Sequence, residues 1–413
     1  MKLTLKMKRK INQLLVTVII TAVCSTAAYG QSVKLNAAGI QKVFKEIETQ
    51  TIVMLQSVPK AQADHKNLIS PRTEKDGRLV LVASKDWTSG FFPGLLWYLY
   101  GFNRQPKWAT AARQYTAPIE KEKWNGTTHD MGFKVYCSFG NGYRLTKDPA
   151  YKAVIITAAK TLFTRFNPAV GAIRSWDHNK QKWAYPVIID NMLNLELLFE
   201  ATRLTGDTSF YHIADQHAKT TMRNHFRKDY SSFHVVDYDS TTGQVIKKTT
   251  HQGYSDASAW ARGQAWGLYG YTMCYRETGN KAYLSQAEHI ARFILNNPHL
   301  PKDLIPYWDF DAPGIPNEPR DVSAAAVIAS GLLELSTYST RGRYYRKIAI
   351  RILTQLTNHY RSAPGQHNGF ILLHSTGSKP SNSEVDVPLN YADYYYVEAL
   401  QRLDNLYRHK SVL

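Results

Sequence analysis

Arg144-Leu-Thr-Lys-Asp-Pro-Ala-Tyr151, Arg203-Leu-Thr-Gly-Asp-Thr-Ser-Phe210 and Arg276-Glu-Thr-Gly-Asn-Lys-Ala-Tyr283 are copies of one phrase. Each is followed by an amphipathic run, to Phe163, Met222 and Leu295 in turn. Looser copies lie at Gly101 to Trp108 and at Thr337 to Tyr344. The phrase reads as a helix that stops at a glycine or polar turn and a second helix that starts with an aromatic in its first turn. The unit is a helical hairpin, repeated at intervals of roughly 40 to 75 residues. An opening helix near Ala37 to Gln56 and a closing one near Ala392 to Tyr407 bring the total close to six hairpins. An open solenoid would need polar caps at both ends. Here the ends carry Val43 and Ile47, and Tyr394 to Val397. The expected fold is therefore all-α, a closed toroid with inner helices around an axis and outer helices toward solvent.

Composition separates the two helix types. Ser89-Gly-Phe-Phe-Pro-Gly-Leu-Leu-Trp97 and the segment from Gly263 to Tyr271 carry glycine, aromatics and few charges, as helices crowded around an axis should. The repeats carry Lys, Glu and His. Loops running from outer to inner helices would then frame a pocket at one end. No long Ser/Pro/Gly linker divides the chain, so residues 31–413 are expected to form a single domain.

Residues 1–30 read as a secretory signal peptide. Lys2, Lys6, Lys8, Arg9 and Lys10 form a basic start, Leu14 to Val23 an apolar run, and Ala28-Tyr29-Gly30 a small-x-small cleavage site. The run is too short and too weakly apolar for a comfortable membrane span. Val23 and Thr21 fit poorly with lipidation at Cys24. The expectation is a soluble exported protein, periplasmic in a bacterium with two membranes. Loss of those five basic residues leaves 46 Lys and Arg against 33 Asp and Glu, a net charge of +13. The basic residues are scattered, with no arm or block for nucleic acid, so an acidic polysaccharide is the better partner. Cys137 and Cys274 are too few for a disulfide framework and read as buried small hydrophobes.

The chemistry gathers around Thr250-His251-Gln252-Gly253-Tyr254 and Trp260-Ala261-Arg262-Gly263-Gln264-Ala265-Trp266. Trp supplies flat apolar faces and Arg a planar two-pronged donor, the combination that a sugar bearing an acid group needs. An aromatic helix in a large core is the plain alternative. Two aspartates stand out. Asp130, in His129-Asp130-Met131-Gly132, sits where Thr127, Thr128 or the aspartate itself could cap a helix. Asp190 lies among Ile189, Met192 and Leu193, where desolvation would raise its pKa toward that of a general acid. His129, His178, His234 and His251 lack metal-ligand spacing, so neither metal nor cofactor is expected. No phosphate-cradling loop or nucleophile elbow is present.

Five stretches, in order, resemble the unsaturated glucuronyl hydrolases, glycoside hydrolase family 88. They are Asp86 to Gly94, His129 to Phe133, Ile189 to Met192, Thr250 to Trp266, and Ser383 to Tyr395. The resemblance spans nearly the whole chain after the leader. It implies an (α/α)6 barrel and the removal of a 4,5-unsaturated uronic acid from the non-reducing end of lyase products. The implied reaction is hydration of a vinyl ether rather than the two-carboxylate cleavage of ordinary glycosidases. Asp190 then matches the residue that protonates C4 and activates water, and Asp130 the second essential aspartate. Trp87, Trp176 and Trp266 become stacking or wall residues. His129, His234, Gln252 and Arg262 become contacts to hydroxyls or carboxylate, with Thr250 at the rim. Lys248 stands where the pattern leads one to expect a small residue.

The implied substrate is a chondroitin-, hyaluronan- or heparin-derived oligosaccharide supplied by an upstream lyase, with neither nucleic acid nor membrane as partner. Rival readings are an unsaturated rhamnogalacturonyl hydrolase, a non-catalytic acidic-glycan-binding protein, and a polysaccharide lyase using Tyr254 and His251. One further site is expected in a polar loop at Leu372 to Pro380, where Ser375, Ser378 and Lys379 could cradle a sulfate.

Overall fold

The computed structural model describes residues 32–63 and 65–412. The expected leader, residues 1–30, lies outside them. From Leu35 onward the chain forms one compact unit. The described α-helices alternate between outer and inner positions. They are α1 (Ala37–Gln62), α2 (Phe91–Asn103), α3 (Pro106–Thr116), α4 (Asn141–Thr146), α5 (Pro149–Phe163), α6 (Glu196–Thr205), α7 (Ser209–Asn224), α8 (Ala261–Thr278), α9 (Lys281–Asn296), α10 (Val322–Leu335), α11 (Gly342–His359) and α12 (Asn390–Tyr407). A π-helical stretch, Gly132–Gly140, runs straight into α4, and a 3-10 turn, Ile189–Asn194, leads into α6. The inner set, α2, π-α4, 3-10-α6, α8, α10 and α12, touch in sequence, and α12 packs back on α2. The ring is closed, an (α/α)6 barrel.

The repeated phrase is the turn from each inner helix to the next outer one. Lys147 ends α4 in the left-handed conformation (φ 57°), and Gly206 (φ 77°) and Gly279 (φ 67°) do the same for α6 and α8. Asp148 and Asn280 then cap the following helices, accepting from the backbone N–H of Ala150 and Ala282 at 3.0 Å. Burial follows the expected division. Every side chain of α10 is buried, whereas α9 buries one stripe, Tyr283, Gln286, Ala287, Ile290, Ala291 and Ile294. Glycine lets inner helices approach closely: a Cβ on Gly94 would lie 2.6 Å from the Cys137 carbonyl oxygen, and one on Gly270 2.4 Å from the Met192 Cβ.

The reverse connections, outer to inner, are long and carry all nine described strands. β1 (Ser70–Lys75) pairs with β2 (Arg78–Val82), and β3 (Phe166–Asn167) with β4 (Ala172–Ile173). β5 (Pro186–Ile188), β6 (Val235–Tyr238) and β7 (Val245–Thr249) form an antiparallel sheet in that order, and β8 (Ser375–Ser378) pairs with β9 (Ser383–Val387). The polar loop expected from Leu372 to Pro380 is thus corrected to a strand and a hairpin turn. Since short turns hold one end, the N-termini of the six inner helices all point to the other, and their partial positive charges favour an anion there.

Candidate active site

Five of the six inner helices begin at or just after a candidate site residue or cap. Trp87 precedes α2, Asp130 the π-helix, Asp190 opens the 3-10 turn, Trp260 precedes α8, and Asp321 caps α10. Asp130 and Asp190 could have been ordinary helix caps, and neither is. No side chain caps the π-helix or the 3-10 turn. The Asp130 carboxylate instead accepts from the Thr128 hydroxyl at 2.7 Å and lies 3.1 Å from His129 Nε2. The Asp190 side chain is nearly sealed, and its Oδ2 has no hydrogen-bond partner. Burial pushes its pKa up to about 7; the charge of Arg262 opposes the rise, and the charge of Asp130 adds to it. A carboxyl group that keeps its proton near neutrality stands in the field of a second carboxylate.

Aromatic rings wall the space. Trp87, half-buried, packs on Tyr391 at 4.9 Å and on Phe133 at 5.6 Å. Trp266 is fully buried between Phe133 (5.3 Å) and Tyr395 (5.5 Å), so it is wall rather than open stacking face. Trp176 bridges the Thr128 backbone and gathers His178, Trp183 and His251 around its ring. His129 donates through Nδ1 to the Ser175 carbonyl at 2.7 Å, and burial lowers its pKa. His234 lies with Nε2 3.7 Å from Asp190 Oδ2. Thr250 shapes the rim turn, its hydroxyl accepting from Gly253 N–H at 2.8 Å, and Gln252 reaches the Gly377 carbonyl at 3.1 Å. Lys248 extends over the Phe233 ring, 5.1 Å from its centre.

Two expected groups sit in more crowded surroundings than the sequence implies. Arg262, expected as a fork for a substrate carboxylate, is already engaged through three of its five N–H donors. Its guanidinium, 1% exposed, donates to Asp321 Oδ2, to the Thr376 carbonyl and to the Gly377 carbonyl, each at 2.6 Å. It ties α8 to the cap of α10 and to β8, and its charge is felt by Asp190. The sulfate cradle does not assemble as expected. Ser375 is buried while Ser378, three residues along the same strand, bonds Ser381 at 3.1 Å at the hairpin end beside Lys379. The ladder slips between Ser375 and Thr376, and Ser375 is buried whereas Ser378 is only half-buried, so the two hydroxyls are not presented alike.

The sequence reading missed Tyr391 and Arg72. Tyr391 fills the gap between Trp87 and Arg262, whose Cζ is 5.4 Å from its ring. Arg72 on β1 bonds Asp86 beside Trp87 and Glu384 on β9, joining two walls. A cavity of about 420 Å³ lies toward the short-turn end and is lined by Glu196, Arg276, Glu398 and Arg402, among others. Its charges pair with one another. Cys137 lines it and is half-buried, not a core residue as expected.

Comparison with known proteins adds three findings. The family model described as Glycosyl Hydrolase Family 88 matches residues 57–407. An unsaturated glucuronyl hydrolase of Formosa agariphila is 53% identical over 327 residues, 79% of this chain and 82% of that protein; an unsaturated chondroitin disaccharide hydrolase of Streptococcus pneumoniae is 33% identical, over 78% and 83%. The crystal structure of an unsaturated glucuronyl hydrolase specific for heparin superposes with a TM-score of 0.84 at 47% identity, covering 88% of this chain and 97% of that one.

Proposed function

Because the chain belongs to glycosyl hydrolase family 88, we propose that its barrel end removes a 4,5-unsaturated glucuronic acid from the non-reducing end of glycosaminoglycan oligosaccharides. The protein is a glycoside hydrolase. The observation that carries the residue assignment is the sealed Asp190 carboxyl, its pKa raised by burial and by the charge of Asp130. In this reading Asp190 gives its proton to C4 of the C4=C5 double bond, and positive charge develops at C5 and the ring oxygen. The conjugate carboxylate then takes a proton from water as its hydroxyl adds to C5. The resulting hemiketal opens, and the rest of the chain leaves. Asp130, acting from the same pocket, holds sugar hydroxyls and keeps the carboxyl partner neutral. Inner-helix N-termini and Arg262 supply a positive field for the uronate.

Heparin- and chondroitin-type relatives both stand among the similar proteins, so the preferred disaccharide belongs to the rim rather than to the pocket floor. Ser378 and Lys379 at the β8–β9 turn, with Thr250 and Lys248, are the rim groups proposed to choose it. The leader-like residues 1–30 and the basic charge fit an exported enzyme fed by an upstream lyase. The test is to mix the protein with an unsaturated disaccharide and follow near-ultraviolet absorbance. Loss of the signal is expected. A binder leaves the signal unchanged, and a lyase creates it only on polymer; either result overturns the reading.

A further inference from the structure

We propose that His234 is a positioning residue for Asp190: it holds a fixed Nε2–H against the buried carboxylate oxygen Oδ2, so the transferred proton leaves from Oδ1. The inference rests on the reading of Asp190 as the acid. Pairing of β5 with β6 sets Ile188 opposite Val235, and the Ile189 N–H donates to the His234 carbonyl at 3.1 Å, so the sheet fixes the histidine beside the aspartate. His234 Nδ1 accepts from two backbone N–H groups, those of His251 at 3.2 Å and Gln252 at 3.1 Å. That nitrogen must therefore be unprotonated, and the single proton of a neutral ring sits on Nε2. Burial keeps the ring neutral, and His251, Arg262, His225 and His129 add to the effect.

Nε2 then faces Asp190 Oδ2 at 3.7 Å, and both atoms are sealed from solvent without another hydrogen-bond partner. Two facing buried polar atoms of opposite character complete one another after a small closure, as catalytic contacts often do when substrate binds. An oxygen facing a donor cannot also hold the labile proton, which leaves Oδ1 for transfer. The other groups facing Asp190 are Arg262 from α8, which acts through its charge, Trp266 from α8, which acts on the carboxyl as a hydrogen-bond donor, and Asp130 from the loop before the π-helix; Oδ2 itself has no partner within hydrogen-bond distance. His234 also rests against the Trp260 ring, at 4.5 Å, which holds its plane.

Two substitutions separate the two ring nitrogens. Asn places its polar group near Nδ1 and can still accept from the loop, but it loses the donor to Asp190. Gln places an amide N–H near Nε2 and keeps that donor. Without the donor the ionised carboxylate is less favoured, so Asp190 stays protonated to higher pH. His234→Asn should move the alkaline limb of the kcat profile up by about one pH unit and lower kcat about 10-fold or more, with KM within a few-fold; His234→Gln should leave the limb in place. A wild-type limb in His234→Asn with a failing His234→Gln would make the residue structural and overturn the proposal. A KM change in both with an unmoved limb would make it a sugar contact, and overturn it equally. Should the Asn variant not fold, histidine nitrogen NMR on the wild-type protein decides: a protonated Nδ1 refutes the assignment. Asp190→Asn distinguishes the failures, since wild-type turnover in that variant removes the acid itself, whereas an inactive variant leaves only His234 in question.

Discussion

Replacing Asp190 with Asn should silence the enzyme and stabilise it, the second effect appearing only as the pH rises. The carboxyl titrates at 3.8 in a solvated chain and at about 7 in the fold. A raised acid binds its proton more tightly when folded. Below 3.8 both states are protonated and the group adds nothing to the pH dependence. Between the two values the unfolded chain ionises while the folded one does not, so stability falls as pH rises, and the loss is complete above 7. About three pH units at 1.36 kcal/mol each give a loss of about 4 kcal/mol by pH 8, of which somewhat under half has accrued at pH 5. Asn carries no charge to bury and escapes the loss. For roughly 380 folded residues the unfolding entropy is about 0.8 kcal/mol per degree, so the Tm advantage of Asp190→Asn should be about 3 °C larger at pH 8 than at pH 5. Turnover on an unsaturated disaccharide should fall at least about 10²-fold at both pH values. Scanning calorimetry and the absorbance assay on the same preparations read both. An equal Tm difference at the two pH values would mean that the carboxylate is solvated, and near-normal turnover would take Asp190 out of the reaction.

Reaction in heavy water should place one deuterium at C4 of the product, and mass spectrometry finding none there would exclude vinyl-ether hydration and revive direct glycosidic cleavage. Arg262→Lys should lower stability by about 1–3 kcal/mol, since an ammonium cannot reach Asp321 and the two carbonyls together. It keeps its charge, so the pH profile should hold; a large rise in KM with an unchanged Tm would favour the direct fork. Lys379→Ala should raise KM for a sulfated disaccharide and leave the unsulfated one alone, and equal effects on both would confine the residue to its hairpin turn.

What the chain disclosed about itself follows the range of the forces involved. The hairpin boundaries were readable because turn chemistry is local: Gly206 and Gly279 close their helices within one residue, and Asp148 and Asn280 start the next ones within two. The burial of Asp190 was readable for a similar reason: its sequence neighbours Ile189, Met192 and Leu193 are themselves buried. The strands were not, because each of β5 to β9 is stabilised by a partner in a connection whose own composition is polar and irregular. Arg262 shows the limit most plainly. Two of its three acceptors are backbone carbonyls 114 and 115 residues away, and a carbonyl leaves no mark in a sequence. Ser375 failed because its burial depends on how β8 pairs with β9, and that pairing slips next to it. Tyr391 failed because a tyrosine-rich segment does not say which ring turns toward the pocket.

The packing of α12 back on α2 alters how the molecule can come apart. A linear stack of hairpins has two terminal units, each held by one neighbour, and it frays from them. Here the Tyr407 hydroxyl bonds the Leu35 carbonyl at 2.9 Å, and every inner helix has a neighbour on both sides. No hairpin is peripheral, so no partial loss is cheap. Opening at any seam removes support from two hairpins at once and exposes the floor of the pocket, whose walls are the first turns of those same helices. Melting of the barrel and loss of the site are then expected to run together, since the turns that carry Asp130 and Asp190 belong to the same closed ring.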